Sequence, residues 1–299
     1  MKEKLSLSGA VFNVFNYAIL IAFTIICVFP LYFILINTLS TNDLAVKNQI
    51  LFWPIGLHFE NYIRVFQLRG LWDAAKISLS RTVLGTFLTV TVSSFLGYAF
   101  SRPEYWKKTI WYRFVVVTMY FNAGMIPFFL TVKLVGLYDN FFVYILPAMV
   151  APFFVILTKT FIEQIPASLE ESAQLDGAGY LVRYSRIVLP LSVPILATIA
   201  VFASVGQWNA FFDTVYLTRG RSLNTLQLLL LQYLNEADAV ARAIMNSTSP
   251  EEVANMLNHQ TPTSVRMTVT LITTFPILCV YPFMQRFFIK GIMVGAIKG

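Results

Sequence analysis

The stretch IPASLEESAQLDGAGYLVRYSRIVLPLSVP, Ile165–Pro194, holds two adjacent glutamates, an Asp-Gly pair and two arginines. The sequence on either side is largely Phe, Leu, Ile and Val. So dense a polar block needs a reason. That reason depends on where the apolar flanks put it.

The flanks are membrane-like. The chain has 299 residues, 57% of them hydrophobic and 12% charged, with 27 Phe. Soluble domains carry about 25% charged residues. A helix crosses a hydrocarbon core of about 30 Å with roughly 20 residues. Six runs free of Asp, Glu, Lys and Arg are long enough: 5–42, 82–101, 114–132, 140–158, 187–212 and 267–285. They predict an all-α polytopic membrane protein with six transmembrane helices in a single domain over residues 1–299. The spans are expected near 14–39, 80–101, 112–132, 140–160, 187–209 and 266–287. The next longest run, Ser222–Asn235, fits a surface or re-entrant helix. The first run far exceeds a signal-peptide core of roughly 7–15 residues, and no small-x-small cleavage site closes it, so it is read as a retained span.

Lys and Arg in the short connections set the orientation. The compact cluster Arg102, Lys107, Lys108 and Arg113 is the strongest marker of the inner side. Both termini and the block at 163–186 are then cytoplasmic, and the loops 40–76 and 213–263 extracellular. The net charge of +7 reflects this topology and not nucleic-acid binding. Cys27 and Cys279 fall in predicted spans and read as packing residues.

Several chemistries are missing. There is no Gly-Lys dipeptide, hence no G-x-x-x-x-G-K-[ST] phosphate loop. The two histidines, His58 and His259, fall in the predicted outer loops, and no Cys/His cluster has metal spacing. Neither an enzyme site nor a metal site is expected. The six runs hold no Asp or Glu, whereas ion-coupled pumps usually keep intramembrane charged relays. That counts against the alternative of an ion-coupled secondary sugar transporter.

Within the block, Ser168 and Glu171 have capping-box spacing, and Glu170 and Glu171 suit the positive end of a helix. The helix is expected from Leu169 to about Asp176, ended by the permissive backbone of Gly177. A second amphipathic helix should then put Leu181, Tyr184 and Val188 on one face, with Arg183 and Arg186 off it.

The pattern E-E-S-A-x-x-D-G-A followed by I-V-L-P resembles the cytoplasmic EAA loop of binding-protein-dependent ABC importer permeases. Glu171, Ser172, Ala173, Gly177, Ile187, Leu189 and Pro190 occupy its places, with Ser172 replacing the usual first alanine. Met119–Pro147, Gly206–Leu234 and Ser264–Gly299 are similar to carbohydrate permeases of the maltose-type second-permease family. Their nearest likeness is the Gram-positive, lipoprotein-linked polysaccharide branch. The resemblance implies a type I ABC importer permease fold and a cytoplasmic coupling helix. That helix would dock on an ATPase through Ser168, Glu170, Glu171, Ser172, Ala173, Asp176 and Gly177. It also implies a second permease subunit, two cytoplasmic ABC ATPases that bind ATP and Mg, an extracellular sugar-binding lipoprotein, and the bacterial plasma membrane. No cofactor is expected on this chain.

Polar groups inside spans are candidates for a substrate path, because leaving them unpaired in lipid is costly. Asn37, Asn122, Gln207, Trp208, Asn209 and Asp213 are the ones singled out. Amides bond sugar hydroxyls, and flat rings cover sugar C–H faces. The competing reading is that these amides only hold helices together.

Overall fold

A computed structural model of the chain describes residues 7–46, 49–246 and 264–280. Among the described residues every regular element is helical. In chain order they are α1 (Leu7–Thr38), α2 (Asn42–Val46), α3 (Glu60–Phe66), α4 (Leu71–Ser101), α5 (Lys108–Tyr120), α6 (Met125–Leu134) and α7 (Pro152–Ile162). Then come α8 (Ala167–Leu175), α9 (Tyr180–Arg183), α10 (Leu189–Leu191), α11 (Val193–Asn209), α12 (Phe212–Leu217), α13 (Leu226–Asn246) and α14 (Ser264–Val280). The described residues of Met1–Leu68 and Leu230–Thr274 form one compact unit, and those of Arg69–Leu229 and Phe275–Gly299 another.

In the first unit, α1 has no charged residue and a mean hydropathy of 2.9 over the most apolar 18 residues of Val11–Thr38. Its side chains from Val14 to Phe29 are all exposed, as a lipid-facing helix requires. Only its last turns are covered, where Ile36 packs with Ala45 and Ile50. Polar bonds then fix α3 to this end. Asn61 Nδ2 donates to Thr38 O at 3.0 Å, and the Thr38 and Tyr62 hydroxyls lie 2.7 Å apart.

In the second unit, α4 packs against α7 and α11. Between Ala74 and Gly97 its inward face is mostly small: Ala74, Ser78, Gly85, Thr89, Ser93 and Gly97, with Arg81 the one large exception. Its outward face carries Leu79, Val83, Phe87 and Phe95. This inversion of the soluble pattern lets backbones approach while lipid takes the large side chains. A Cβ on Gly97 would lie 2.8 Å from Thr158 Cβ and 3.0 Å from the backbone nitrogen of Lys159, so glycine sets the α4–α7 spacing.

Among the described residues two helices are long and apolar enough to cross a membrane, α1 from Val11 and α4. A third exists if Tyr180–Leu191 and Val193–Asn209, bent by 77°, make one span. The expected continuous helix over 112–132 is broken instead. It ends at Tyr120, crosses an extended Asn122–Gly124 turn with Gly124 at φ 81°, and restarts at Met125. The run over 140–160 breaks likewise, and Pro152 opens α7. Proline suits a first helical turn, where no N–H is needed. The span expected at 266–287 begins in α14 and continues outside the described residues. The fold is therefore all-α as expected, and the count of six spans rests on sequence alone. α4 starts nine residues before the expected 80, which shortens the predicted loop 40–76. Cys27 and Cys279 are exposed and do not pack inside this chain. Within the 213–263 loop the polar sequence Asn235–Gln260 reads as two short exposed helices split near Ser247–Pro250, and the first of them is the end of α13. The second lies outside the described residues.

Candidate functional site: an anchored helix and a clasped cavity

The Ile165–Pro194 block folds as α8, a tight turn and α9, which widens into a π-helical turn over Tyr184–Val188 before Pro190. A proline here cannot donate to the fourth carbonyl back and its ring crowds it, which the wider turn relieves. Gly177 at φ 82° ends α8 in a Schellman motif. The Ala178 N–H donates to Ala173 O at 2.9 Å and the Gly177 N–H to Gln174 O at 3.0 Å. The stop expected at Gly177 is thus present. The capping box is not. The helix starts at Ala167 after Pro166, so Ser168 is already helical, and Ser172 Oγ donates back to Ser168 O at 2.8 Å.

The two glutamates separate by one helical step. Glu170 is turned inward and is only 4% exposed. Its Oε1 lies 2.6 Å from Arg102 Nη1, and its Oε2 accepts from Tyr98 OH at 3.2 Å. Arg102 also covers the Tyr98 ring, 5.0 Å from its centroid. The expectation that Glu170 faces a partner is therefore corrected: this chain's own α4 consumes it. Glu171, Ser172, Asp176 and Gly177 are exposed, with Ser168 beside them, and Ala173 is half-buried. A Cβ on Gly177 or Gly179 would meet nothing within 4 Å. Leu175, 90% exposed, completes an open surface.

Behind that surface the block is fixed firmly. Tyr98, Ile162 and Val188 form a core with Ile165 and Tyr184. Tyr184 OH donates to Ser94 Oγ at 2.9 Å. Arg183 is buried, donates to Gln174 Oε1 at 3.0 Å and covers the Tyr180 ring, whereas Leu181 is exposed. The expected faces of this segment are thus exchanged at 181 and 183. The π-helical turn shifts the register that regular helical spacing assumed.

The second feature was not legible as a site. Arg81, 1% exposed, lies inside α4 and is bonded through its whole guanidinium. Nη2 and Nη1 reach Asp213 Oδ2 and Oδ1 at 2.6 and 3.1 Å. Nε and Nη2 reach Gln207 Oε1, both at 3.2 Å, and Nη1 also reaches Ala210 O at 3.2 Å. The Tyr144 ring lies 4.3 Å below the guanidinium carbon. Gln207 Nε2 in turn donates to Tyr144 O at 3.2 Å. This forked, fully bonded arginine is the form in which a cation can sit between helices at low cost. A Cβ on Gly85 would come within 2.7 Å of Gln207 Nε2, so glycine is needed where α4 faces the clasp. Arg81 falls inside the expected span 80–101 but one residue outside the charge-free run 82–101, and it was not singled out.

The clasp borders two cavities. One, of about 470 Å³, is lined by Arg81, Tyr144, Phe202, Gly206, Gln207 and Asp213, among others. The other, of about 770 Å³, is lined by Asn122, Phe128, Thr131, Phe212, Asp213 and Tyr216, among others. Asn122 Oδ1 accepts from the Gly124 N–H at 2.9 Å, which leaves its amide group facing the cavity rim. The path candidates thus sort by position. Asn122 and Asp213 share a cavity. Gln207 lines the other but both its polar atoms are engaged. Trp208 is buried and lines neither cavity, and Asn209 Oδ1 accepts from Gln227 Nε2 at 3.1 Å. Asn37 belongs to the first unit, buried, with its Nδ2 donating to Phe33 O at 2.8 Å. Gln207 and Asn209 thus spend side-chain bonds on neighbouring segments of this chain, as the helix-holding reading has it. Among the described residues no His/Cys/Asp/Glu group could hold a metal ion.

The family model described as binding-protein-dependent transport system inner membrane component matches residues 85–294, and the chain belongs to that family. It is 32% identical over 295 residues to the polygalacturonan/rhamnogalacturonan transport system permease protein YtcP of Bacillus subtilis (strain 168), covering 98% of this chain and 100% of that one. It is also 32% identical to protein LplC of the same organism, over 98% of this chain and 96% of that one. Among solved structures it resembles a chain of a bacterial ABC transporter involved in the import of the acidic polysaccharide alginate. The TM-score is 0.82 at 28% identity, covering 96% of this chain and all of that one.

Proposed function

We propose that this chain is the transmembrane permease subunit of an ATP-driven ABC importer. Its cargo is a carbohydrate, an oligosaccharide or glycan fragment, handed over by an extracellular sugar-binding lipoprotein. The relatives named for polygalacturonan, rhamnogalacturonan and alginate transport support that cargo class. A second permease and two ABC ATPases, which bind ATP and Mg, complete the machine. Both termini and the Ile165–Pro194 block face the cytoplasm of a bacterial cell, in keeping with the basic cluster Arg102–Arg113.

The observation that carries the reading is the division of labour on α8. Glu170 binds it to α4, while Glu171, Asp176 and Gly177 stand open on the other side. A helix so mounted transmits a push: a partner engages the open face, and the buried pair passes the motion to a long membrane helix. The test is charge reversal on the open face. Glu171→Lys should leave the chain expressed and folded but reduce copurification of the ATPase subunits and abolish ATPase stimulation by the loaded binding protein. Normal copurification and stimulation in that variant would refute the docking assignment.

A further inference from the structure

The segment after α1 was expected to be part of an aqueous loop. Residues 48–59 carry no Asp, Glu, Lys or Arg. Leu51, Phe52, Trp53, Ile55 and Leu57 are all exposed, Trp53 the most at 77%. A water-facing loop with such a surface would be costly at about 25 cal/mol per Å² of apolar area.

Its contacts show which way it runs. Tyr32 OH donates to Phe52 O at 2.6 Å, and the Phe29 and Phe52 rings lie 6.3 Å apart. Tyr32 and Phe29 stand six and nine residues before the end of α1 at Thr38, about 9 and 13 Å back along the helix. The chain therefore turns back along the membrane helix after leaving it. The apolar length Val11–Thr38, 28 residues, spans about 42 Å against a hydrocarbon core of about 30 Å. Wherever the surplus of about 12 Å is placed, Phe52 falls at or inside the core boundary on the Thr38 side.

Irregular backbone is tolerated there only if its polar groups are satisfied. The Ile55 N–H donates to Ser40 Oγ at 3.0 Å, and Ile55 O accepts from the Thr41 N–H at 3.1 Å. The His58 N–H donates to Leu39 O at 3.0 Å, and Pro54 has no N–H to satisfy. Gly56 closes the turn at φ 69°, where a Cβ would lie 2.6 Å from Thr41 Cγ2.

We propose that residues 51–57 form a lipid-facing re-entrant turn that seats Phe52 and Trp53 in the membrane interface beside α1. The apolar surface is continuous with the exposed flank of α1, and tryptophan favours the headgroup boundary. The inference rests on the chain being a membrane permease. It anchors the Thr38 end of α1 at a fixed depth.

The test is a nitroxide label at Trp53→Cys and, separately, at Leu57→Cys, in a Cys27→Ser/Cys279→Ser chain assembled into the whole transporter in liposomes. Both labels should be relaxed more by oxygen than by a water-soluble nickel chelate, as should a control label at Phe23→Cys in α1. A Lys76→Cys label should show the reverse. Chelate exceeding oxygen at 53 and 57, with Phe23 still lipid-like, would make the segment an aqueous loop. Low access to both would mean that a protein partner covers it; either result overturns the proposal. Chelate access at Phe23 would instead overturn the membrane placement of α1. Brominated lipid offers a check on the intact chain: it should quench the wild type more than Trp53→Phe, and equal quenching would also overturn the proposal.

Discussion

Glu170 Oε1 and Arg102 Nη1 lie 2.6 Å apart, joining the first half of α8 to the residue that caps α4. The pair is largely buried, with side-chain exposures of 5% and 18%. Glu170→Ala leaves Arg102 and Tyr98 OH without their shared acceptor. A lost bond to a charged group costs about 1.5–3 kcal/mol. The melting temperature of the purified transporter should therefore fall in Glu170→Ala. It should stay unchanged in Glu171→Ala, whose side chain is exposed. Equal loss in both would mean that the two glutamates share one role.

The Arg81–Asp213 pair makes a sharper stability prediction. Its arginine is 2% exposed in the side chain and its aspartate 24%. Removing one partner of a buried pair costs about 3–5 kcal/mol, because a charge is left uncompensated. Asp213→Ala should therefore lower folded yield strongly. Arg81→Lys should fail as well, since one ammonium cannot replace a guanidinium that bonds Asp213, Gln207 and Ala210 together. Detergent-solubilised yield and thermal unfolding of each variant check this. Wild-type stability for Arg81→Lys would show that only the charge matters.

Asn122 differs from the other path candidates because its rim position is not consumed by helix packing. Asn122→Ala should therefore keep normal assembly and stability while lowering uptake several-fold. A lost polar contact to a sugar hydroxyl is worth about 1 kcal/mol, or roughly fivefold. Gln207→Ala should lower assembly and uptake together. Radiolabelled uptake normalised to the assembled complex separates the two.

These contrasts mark what the sequence could carry. Charge-free runs located α1 and α4, since hydrophobic length is a local property. The stop at Gly177 was legible too, because a left-handed cap needs glycine whatever surrounds it. Glu170 and Glu171 looked alike: adjacent residues on a short helix differ only in what lies behind them, and Arg102 is 68 positions away. Arg81 was passed over as the edge of a run, and its partners come from α11 and the start of α12, more than 120 residues later. The breaks at 121–124 and before Pro152 had a signal in Gly124 and the prolines, but hydropathy averages over such interruptions.

Gly179 separates docking from folding most cleanly. Its φ of −71° is open to any residue, and a Cβ there meets nothing within 4 Å. Gly179→Leu therefore carries no backbone strain and no internal clash, unlike a change at Gly177 with φ 82°. In this chain its effect on stability should stay within about 0.5 kcal/mol, the usual range for a free surface. If a partner closes over the α8–α9 turn, the added side chain meets it there. ATPase stimulation by the loaded binding protein should then fall sharply at unchanged melting temperature. Full stimulation in Gly179→Leu would place the docking surface elsewhere on α8, and a lowered melting temperature would show that the turn is not open.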